Sequence, residues 1–151
     1  KECKCSERQI TKYRHRISGP ILDRIDLFVQ VSAVETEKLS ITGHNQSNRI
    51  SSFDAKAQVA KARKAQEERF KAGASHGLYT NSQMKNRDVK KYCFLAPESE
   101  NLLRLAAEKF DFSARSYFRL IKIARTIADL EENKQILPSH MAEALQYRQT
   151  L

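Results

Sequence analysis

"SARSYFRLIKIARTIADLEEN", Ser113 to Asn133, is the stretch on which the fold turns. Ser113 stands where a helix needs an N-cap, because its hydroxyl oxygen can accept from a free N–H of the first turn. Behind it Ala114, Tyr117, Phe118, Ile121, Ala124 and Ala128 recur at helical spacing and make one apolar stripe. Leu120, Ile123, Ile127 and Leu130 extend that stripe, which places this helix at the centre of a small bundle. Burying its larger apolar side chains contributes roughly 1.5–3 kcal/mol each. Arg115, Arg119 and Lys122, with Arg125 nearby, form its polar stripe.

Its neighbours also read as helices. "RDVKKYCFL" is a short one, and "PESENLLRLAAEKF" begins with Pro97 at a first-turn position and turns Leu102, Leu103, Leu105 and Ala106 inward. "PSHMAEALQYR" begins at Pro138. Further upstream, "SSFDAKAQVAKARKAQEERFKAG" is a long helix capped by Ser51 or Ser52, with Asp54 in its first turn and Gly73 at its end. Its apolar stripe is thin, mainly Val59, Ala62 and Phe70, so it is mostly solvated or packs through small residues. "ASHGLYTNSQMKNRD" reads as a loop, and so do residues 34–50, which lack helical periodicity.

The first thirty-odd residues differ. Ser6 caps a short basic helix with Ile10, Tyr13 and Ile17 on one face. Gly19 and Pro20 break it, and Pro20 can open another helical turn. Ile25, Leu27, Val29 and Val31 then alternate with Asp26, Gln30 and Ser32, the period of a strand. A lone strand is not stable, so its sheet is expected in a longer parent. "KLSIT", near Leu39 to Thr42, is the one weak alternative partner.

Composition narrows the function classes. The 151 residues are 40% apolar and 30% charged, with 27 Lys and Arg against 18 Asp and Glu, a net charge of +9. That excess favours polyanions such as nucleic acid or nucleotide phosphates, although the charge is spread along the chain. No run approaches the ~20 apolar residues of a membrane span, so no membrane partner is expected. Three cysteines suit a reducing, cytoplasmic compartment better than a disulfide scaffold. Cys93 reads as a small buried apolar residue, whereas Cys3 and Cys5 supply at most half of a four-ligand zinc site.

No phosphate-binding loop is present, and the four glycines are too scattered to form one. His15, His44, His76 and His140 fall in separate elements and are expected at the surface. The chain alone is therefore not expected to turn over a substrate. Two arginines nonetheless suit phosphoryl transfer. Arg24 stands at a turn beside the expected strand, from which a guanidinium can reach a neighbour's γ-phosphate. Arg115 lies in the first turn of the central helix, where the dipole and free N–H groups favour an anion. The competing readings are a local ion pair of Arg24 with Asp23 or Asp26, and an Arg115 that is merely solvated. Spacing leaves both open.

Together, "C-x-C", "RISGPILDRIDLFVQV", "ARKAQEERF", "FSARSYFRLIKIARTIADL" and "HMAEALQYR" resemble the C-terminal portion of the magnesium-chelatase-like AAA+ ATPases, in particular the ComM/YifB-type branch. The resemblance implies a mainly α fold: a small helical lid bundle, a long inserted helix, and a short α/β remnant of the AAA+ core. Residues 1–33 would be the tail of that core with its arginine-finger segment, and 34–50 a linker. Residues 51–84 would be the inserted helix and its loop, and 85–151 the lid. Arg24 matches the arginine finger acting in trans, and Arg115 the sensor-2 arginine that binds the nucleotide, in cis or in trans. Arg119 and Lys122 are candidate polyanion contacts.

Family members are ATP-driven rings, usually homo-hexamers, so the resemblance implies ATP and Mg in the parent and other copies of it as partners. Walker A and Walker B would lie upstream of Lys1. Cys3 and Cys5 match the second half of a cysteine cluster, which allows zinc shared with upstream cysteines. DNA is the implied substrate, through branch migration in recombination and competence. Two alternatives stay open: the ATPase subunit of magnesium chelatase in tetrapyrrole synthesis, and a non-enzymatic basic helical module that binds nucleic acid.

Overall fold

The computed structural model describes residues 4–14, 16, 18–22, 24–33, 50–73 and 77–148. Among them lie seven α-helices: α1 (Glu7–Arg14), α2 (Gly19–Leu22), α3 (Ser52–Ala72), α4 (Asn86–Tyr92), α5 (Pro97–Lys109), α6 (Ala114–Leu130) and α7 (Pro138–Gln146). The expected mainly α fold with a helical bundle is what forms. No strand occurs among the described residues; one isolated parallel bridge joins Leu95 to Ile136.

α6 is the axis of the bundle. Leu120, Ile121, Ala124, Ile127 and Ala128 are all buried along it. They meet Leu103 from α5, Met141 and Ala144 from α7, Val89 and Tyr92 from α4, and Phe70 from α3 in one core. Ser113 caps it as its position predicts, its Oγ accepting from the Ser116 N–H at 3.2 Å. Pro97 and Pro138 open α5 and α7, where a missing N–H costs nothing. The bridge at Ile136 ties those two starts together. Ile136 N–H donates to the Phe94 carbonyl, while the Ile136 carbonyl accepts from Ala96 N–H and from the Ser99 hydroxyl.

α3 is no detached rod. Ser51 caps it, accepting from Asp54 N–H at 3.1 Å, and Ala62, Gln66 and Phe70 are buried on one face against α6. Val59, expected in that stripe, is half exposed, and buried Gln66 stands one turn before Phe70. Phe70 meets the Tyr92 ring edge-on at 5.4 Å. Gly73 ends α3 directly under that tyrosine, where an added Cβ would lie 2.0 Å from its hydroxyl oxygen. The loop after it is more structured than its composition suggests: a 3-10 turn, Asn81–Gln83, buries Asn81, and Met84 follows it into the core.

Several expectations need correction. Leu105 points out of the bundle at 50% exposure, because Leu103 and Ala106 already face the core; Ala114 is exposed as well. Tyr13 is exposed on α1, and Ile17 lies outside the described residues. Residues 25–33 form neither helix nor strand and join no ladder among the described residues, and Ile25, Leu27, Val29 and Val31 are exposed. One backbone hydrogen bond, Phe28 N–H to the Tyr147 carbonyl at 2.9 Å, fastens this segment to the end of α7. The linker around "KLSIT" and residues 34–49 as a whole lie outside the described residues.

Candidate functional site

Arg24 sits where the chain leaves α2. Its N–H donates to the Ile21 carbonyl at 2.9 Å and the next N–H to the Leu22 carbonyl, which closes a turn. The guanidinium is exposed at that turn. Asp26, one of its two expected local partners, instead pairs with Arg119 of α6, Oδ1 to Nε at 3.0 Å. Asp23, the other, lies outside the described residues.

Arg115 occupies the first turn of α6 and is also exposed. One of the N–H groups there already serves the Ser113 cap, so an anion at this end would be held mainly by the side chain. Arg119 follows one turn later, mostly buried and paired with Asp26. Lys122 is half-buried beside it, donating to the Ser82 carbonyl at 3.2 Å. Burial lowers its pKa, against the pull of Asp26, which raises it.

Arg119 and Lys122 line a cleft of about 390 Å³ between residues 26–27 and the faces of α6 and α7. Arg119, Lys122, Asp26 and Glu143 supply its charge, and Leu27, Ile123, Ile127 and Leu130 its apolar walls. The structure thus gathers Arg119 and Lys122 at one place with Asp26. Arg24 lies two residues before Asp26, and Arg115 one helical turn before Arg119.

Arg125 requires a correction. The sequence places it near the polar stripe, yet it is fully buried. The position falls between Ala124 and Ala128 on the core side of α6, a signal the periodicity already contained. Its Nε donates to Asp129 Oδ1 at 3.0 Å and its Nη1 to the Lys134 carbonyl at 2.6 Å; the Asn133 carbonyl takes the other Nη. Asp129 also accepts from Arg69 Nη1 at 3.1 Å, from Arg69 Nη2, and from Asn81 Nδ2 at 2.8 Å. Two guanidiniums and an amide therefore converge on one buried carboxylate, which ties α3 and the 3-10 turn to α6. No buried polar side-chain atom among the described residues is left unpaired.

His140 also departs from expectation. It is fully buried, its Nδ1 accepting from Leu137 N–H at 2.9 Å and its Nε2 facing Glu131 Oε2 at 2.9 Å. It caps the start of α7. His15, His44 and His76 lie outside the described residues. Cys93 is buried and Cys5 exposed, while Cys3 lies outside the described residues. No group of three or more His, Cys, Asp or Glu able to hold a metal gathers among the described residues. No described helix is long and apolar enough to cross a membrane.

The basic face of α3 is largely engaged. Lys61 pairs with Glu132, Lys71 with Glu67, Lys64 with Glu68 at 4.0 Å, and Arg69 with buried Asp129. The three lysine pairs are exposed and weak, on the order of 1 kcal/mol or less, and a polyanion can compete for those cations, whereas Arg69 is held by the buried carboxylate.

Comparison with known proteins agrees with this architecture. Residues 49–148 match the family model described as magnesium chelatase, subunit ChlI C-terminal, and residues 1–39 match the model for magnesium chelatase, subunit ChlI. Competence protein ComM of Haemophilus influenzae is 36% identical over 143 residues, which cover 95% of this chain and 26% of that protein. The YifB proteins of Salmonella typhimurium and Escherichia coli are 34% and 31% identical, each over 96% of this chain and 27% of their own length. The chain thus spans about a quarter of the length of the curated relatives it matches. With both models matched in order, and the first alone covering residues 49–148, the chain belongs to the magnesium chelatase ChlI family.

Proposed function

We propose that this chain is part of a ring-forming ATP-driven motor of the ComM/YifB type that acts on DNA, in which Arg24 is the arginine finger and Arg115 the sensor-2 group. The observation that carries this reading is the engagement of Asp26 by Arg119, which leaves the Arg24 guanidinium exposed at its turn. A guanidinium so presented can enter the nucleotide pocket of an adjoining copy and neutralise charge developing on the transferred phosphoryl group. Arg115, exposed at the start of α6, contacts the γ-phosphate from the lid. ATP and Mg²⁺ bind to the rest of the motor, in the cytoplasm, and the copies assemble as a homo-hexamer.

Residues 1–33 act as the edge of the nucleotide-binding core, 51–84 as an inserted arm, and 85–151 as the lid. Cys3 and Cys5 contribute half of a zinc site. The likeness to a competence protein supports DNA as the substrate, with branch migration as the work done. Cations at Arg119, Lys122 and the outer face of α3 would track its phosphates, giving weak and salt-sensitive contacts.

A second reading, the ATPase subunit of magnesium chelatase, is favoured by the description of the matching family models. Both readings use the same two arginines. The test is Arg24→Ala in the full-length protein. ATP turnover should fall by about 10³-fold or more, the scale of arginine-finger losses, with nucleotide binding and assembly retained. Unchanged turnover removes the assignment. Stimulation of turnover by branched DNA, rather than by a porphyrin and Mg²⁺, separates the two readings.

A further inference from the structure

Two contacts lie just after Arg24. Asp26 pairs with Arg119 at 3.0 Å, and Phe28 N–H donates to the Tyr147 carbonyl at 2.9 Å, while Leu27 lines the same cleft as Ile123 and Ile127. The two contacts link residues 26–28 to α6 and to the end of α7, and α6 carries Arg115 one turn before Arg119. We propose that Asp26 and Arg119 are positioning residues for phosphoryl transfer: their ion pair latches the Arg24 turn onto α6, so that the finger and Arg115 move as one unit.

Neither residue of the pair touches the ATP. An exposed ion pair alone is weak. Here the Arg119 side chain is only 21% exposed, and the backbone bond at Phe28 holds the chain two residues on, so the pair sets the register of a segment already held nearby. Only Ile25 separates Asp26 from the finger residue Arg24, a lever too short to absorb a shift. Displacing a reacting group by about 1 Å can cost up to a hundredfold in rate, so releasing the latch should act on turnover rather than on binding. The coupling has a mechanical consequence. If Arg24 serves the pocket of an adjoining copy, an α6 that moves when Arg115 meets phosphate passes that motion to the next site.

This inference rests on the motor reading, and the experiment keeps the two apart. Full-length Asp26→Asn, Asp26→Glu, Arg119→Asp and the reciprocal pair Asp26→Arg with Arg119→Asp are compared with Arg24→Ala. ATP turnover, KM for ATP and assembly by sedimentation are measured for each. Asp26→Asn should lower kcat between about tenfold and a hundredfold with KM within about twofold and assembly intact. Asp26→Glu, which keeps the charge and lengthens the arm, should lose less. Arg119→Asp should lose at least as much as Asp26→Asn, and the reciprocal pair should recover most of that loss. A loss without recovery in the reciprocal pair overturns the latch, as does an Asp26→Asn with full turnover while Arg24→Ala is inactive. Full turnover in Arg24→Ala itself overturns the motor reading on which the latch rests.

Discussion

Replacing Asp129 by Asn tests how the long helix is held to the bundle. The carboxylate is almost fully buried and receives Arg125 Nε at 3.0 Å, Arg69 Nη1 at 3.1 Å and Asn81 Nδ2 at 2.8 Å. The substitution keeps the shape but removes the charge and points an amide N–H₂ at groups that are all donors. Arg125 is left buried with only the Asn133 and Lys134 carbonyls to face. Breaking a buried ion pair by removing one partner costs about 3–5 kcal/mol, because the remaining charge stays desolvated. Total stabilities of about 5–15 kcal/mol make that a large share. For a chain of this size it corresponds to a fall in Tm of roughly 6–20 °C. Circular dichroism at 222 nm, followed through heating and urea titration of the purified chain, reads the change. Arg104→Ala, which removes an exposed pair with Glu108, is the control and should barely move the midpoint. A loss below about 1 kcal/mol for Asp129→Asn would mean that water reaches the network and that α3 is held by its apolar contacts alone.

Three further outcomes concern Cys93, Cys5 and Gly73. Burial pushes the Cys93 thiol from 9.0 up to about 11. The neutral thiol is therefore favoured in the fold, and its contribution is complete below pH 9.0 and lost as pH rises towards 11. That window should cost about 2–3 kcal/mol and flatten in Cys93→Ala, with urea midpoints across pH as the measure. Iodoacetamide should alkylate exposed Cys5 well before Cys93 in the native chain. Gly73→Ala places a methyl against the Tyr92 ring, already packed on Phe70, and should destabilise by about 1–3 kcal/mol. A neutral result there would show that Tyr92 can swing aside.

Much of the architecture was legible because it is written locally. Ser51 and Ser113 act as the caps their positions predict, Pro97 and Pro138 open helices, and the three-to-four spacing around Ile121 and Ala124 identifies the central helix. What was missed depends on residues far apart in sequence. Arg69, Asn81 and Asp129 are 12 to 60 positions from one another, and nothing local distinguishes the arginine on α3 from its solvated neighbours. His140 looked like a surface residue because its partner, the Leu137 N–H, becomes visible only once α7 starts at Pro138. Leu105 departs for the opposite reason: three leucines close together on α5 cannot all face a narrow core. The alternation at Ile25 to Val31 predicts a strand, yet the segment joins no ladder among the described residues, since alternation specifies a pleated surface but not its partner. At the candidate site, Arg24 and Arg115 stood out by position, whereas the Asp26–Arg119 pair needed the fold to bring residues 26 and 119 together.

Whether Arg24 acts across a subunit boundary is decided most directly by mixing subunits. Full-length Arg24→Ala, co-expressed with a variant whose own nucleotide pocket is inactive, forms interfaces that pair an intact pocket with an intact finger. In a random equal mixture about a quarter of the interfaces should be competent, so ATP turnover should rise well above that of either variant alone. Turnover no greater than the sum of the two inactive preparations, in assemblies shown to contain both subunits, would contradict a finger supplied from the neighbouring copy.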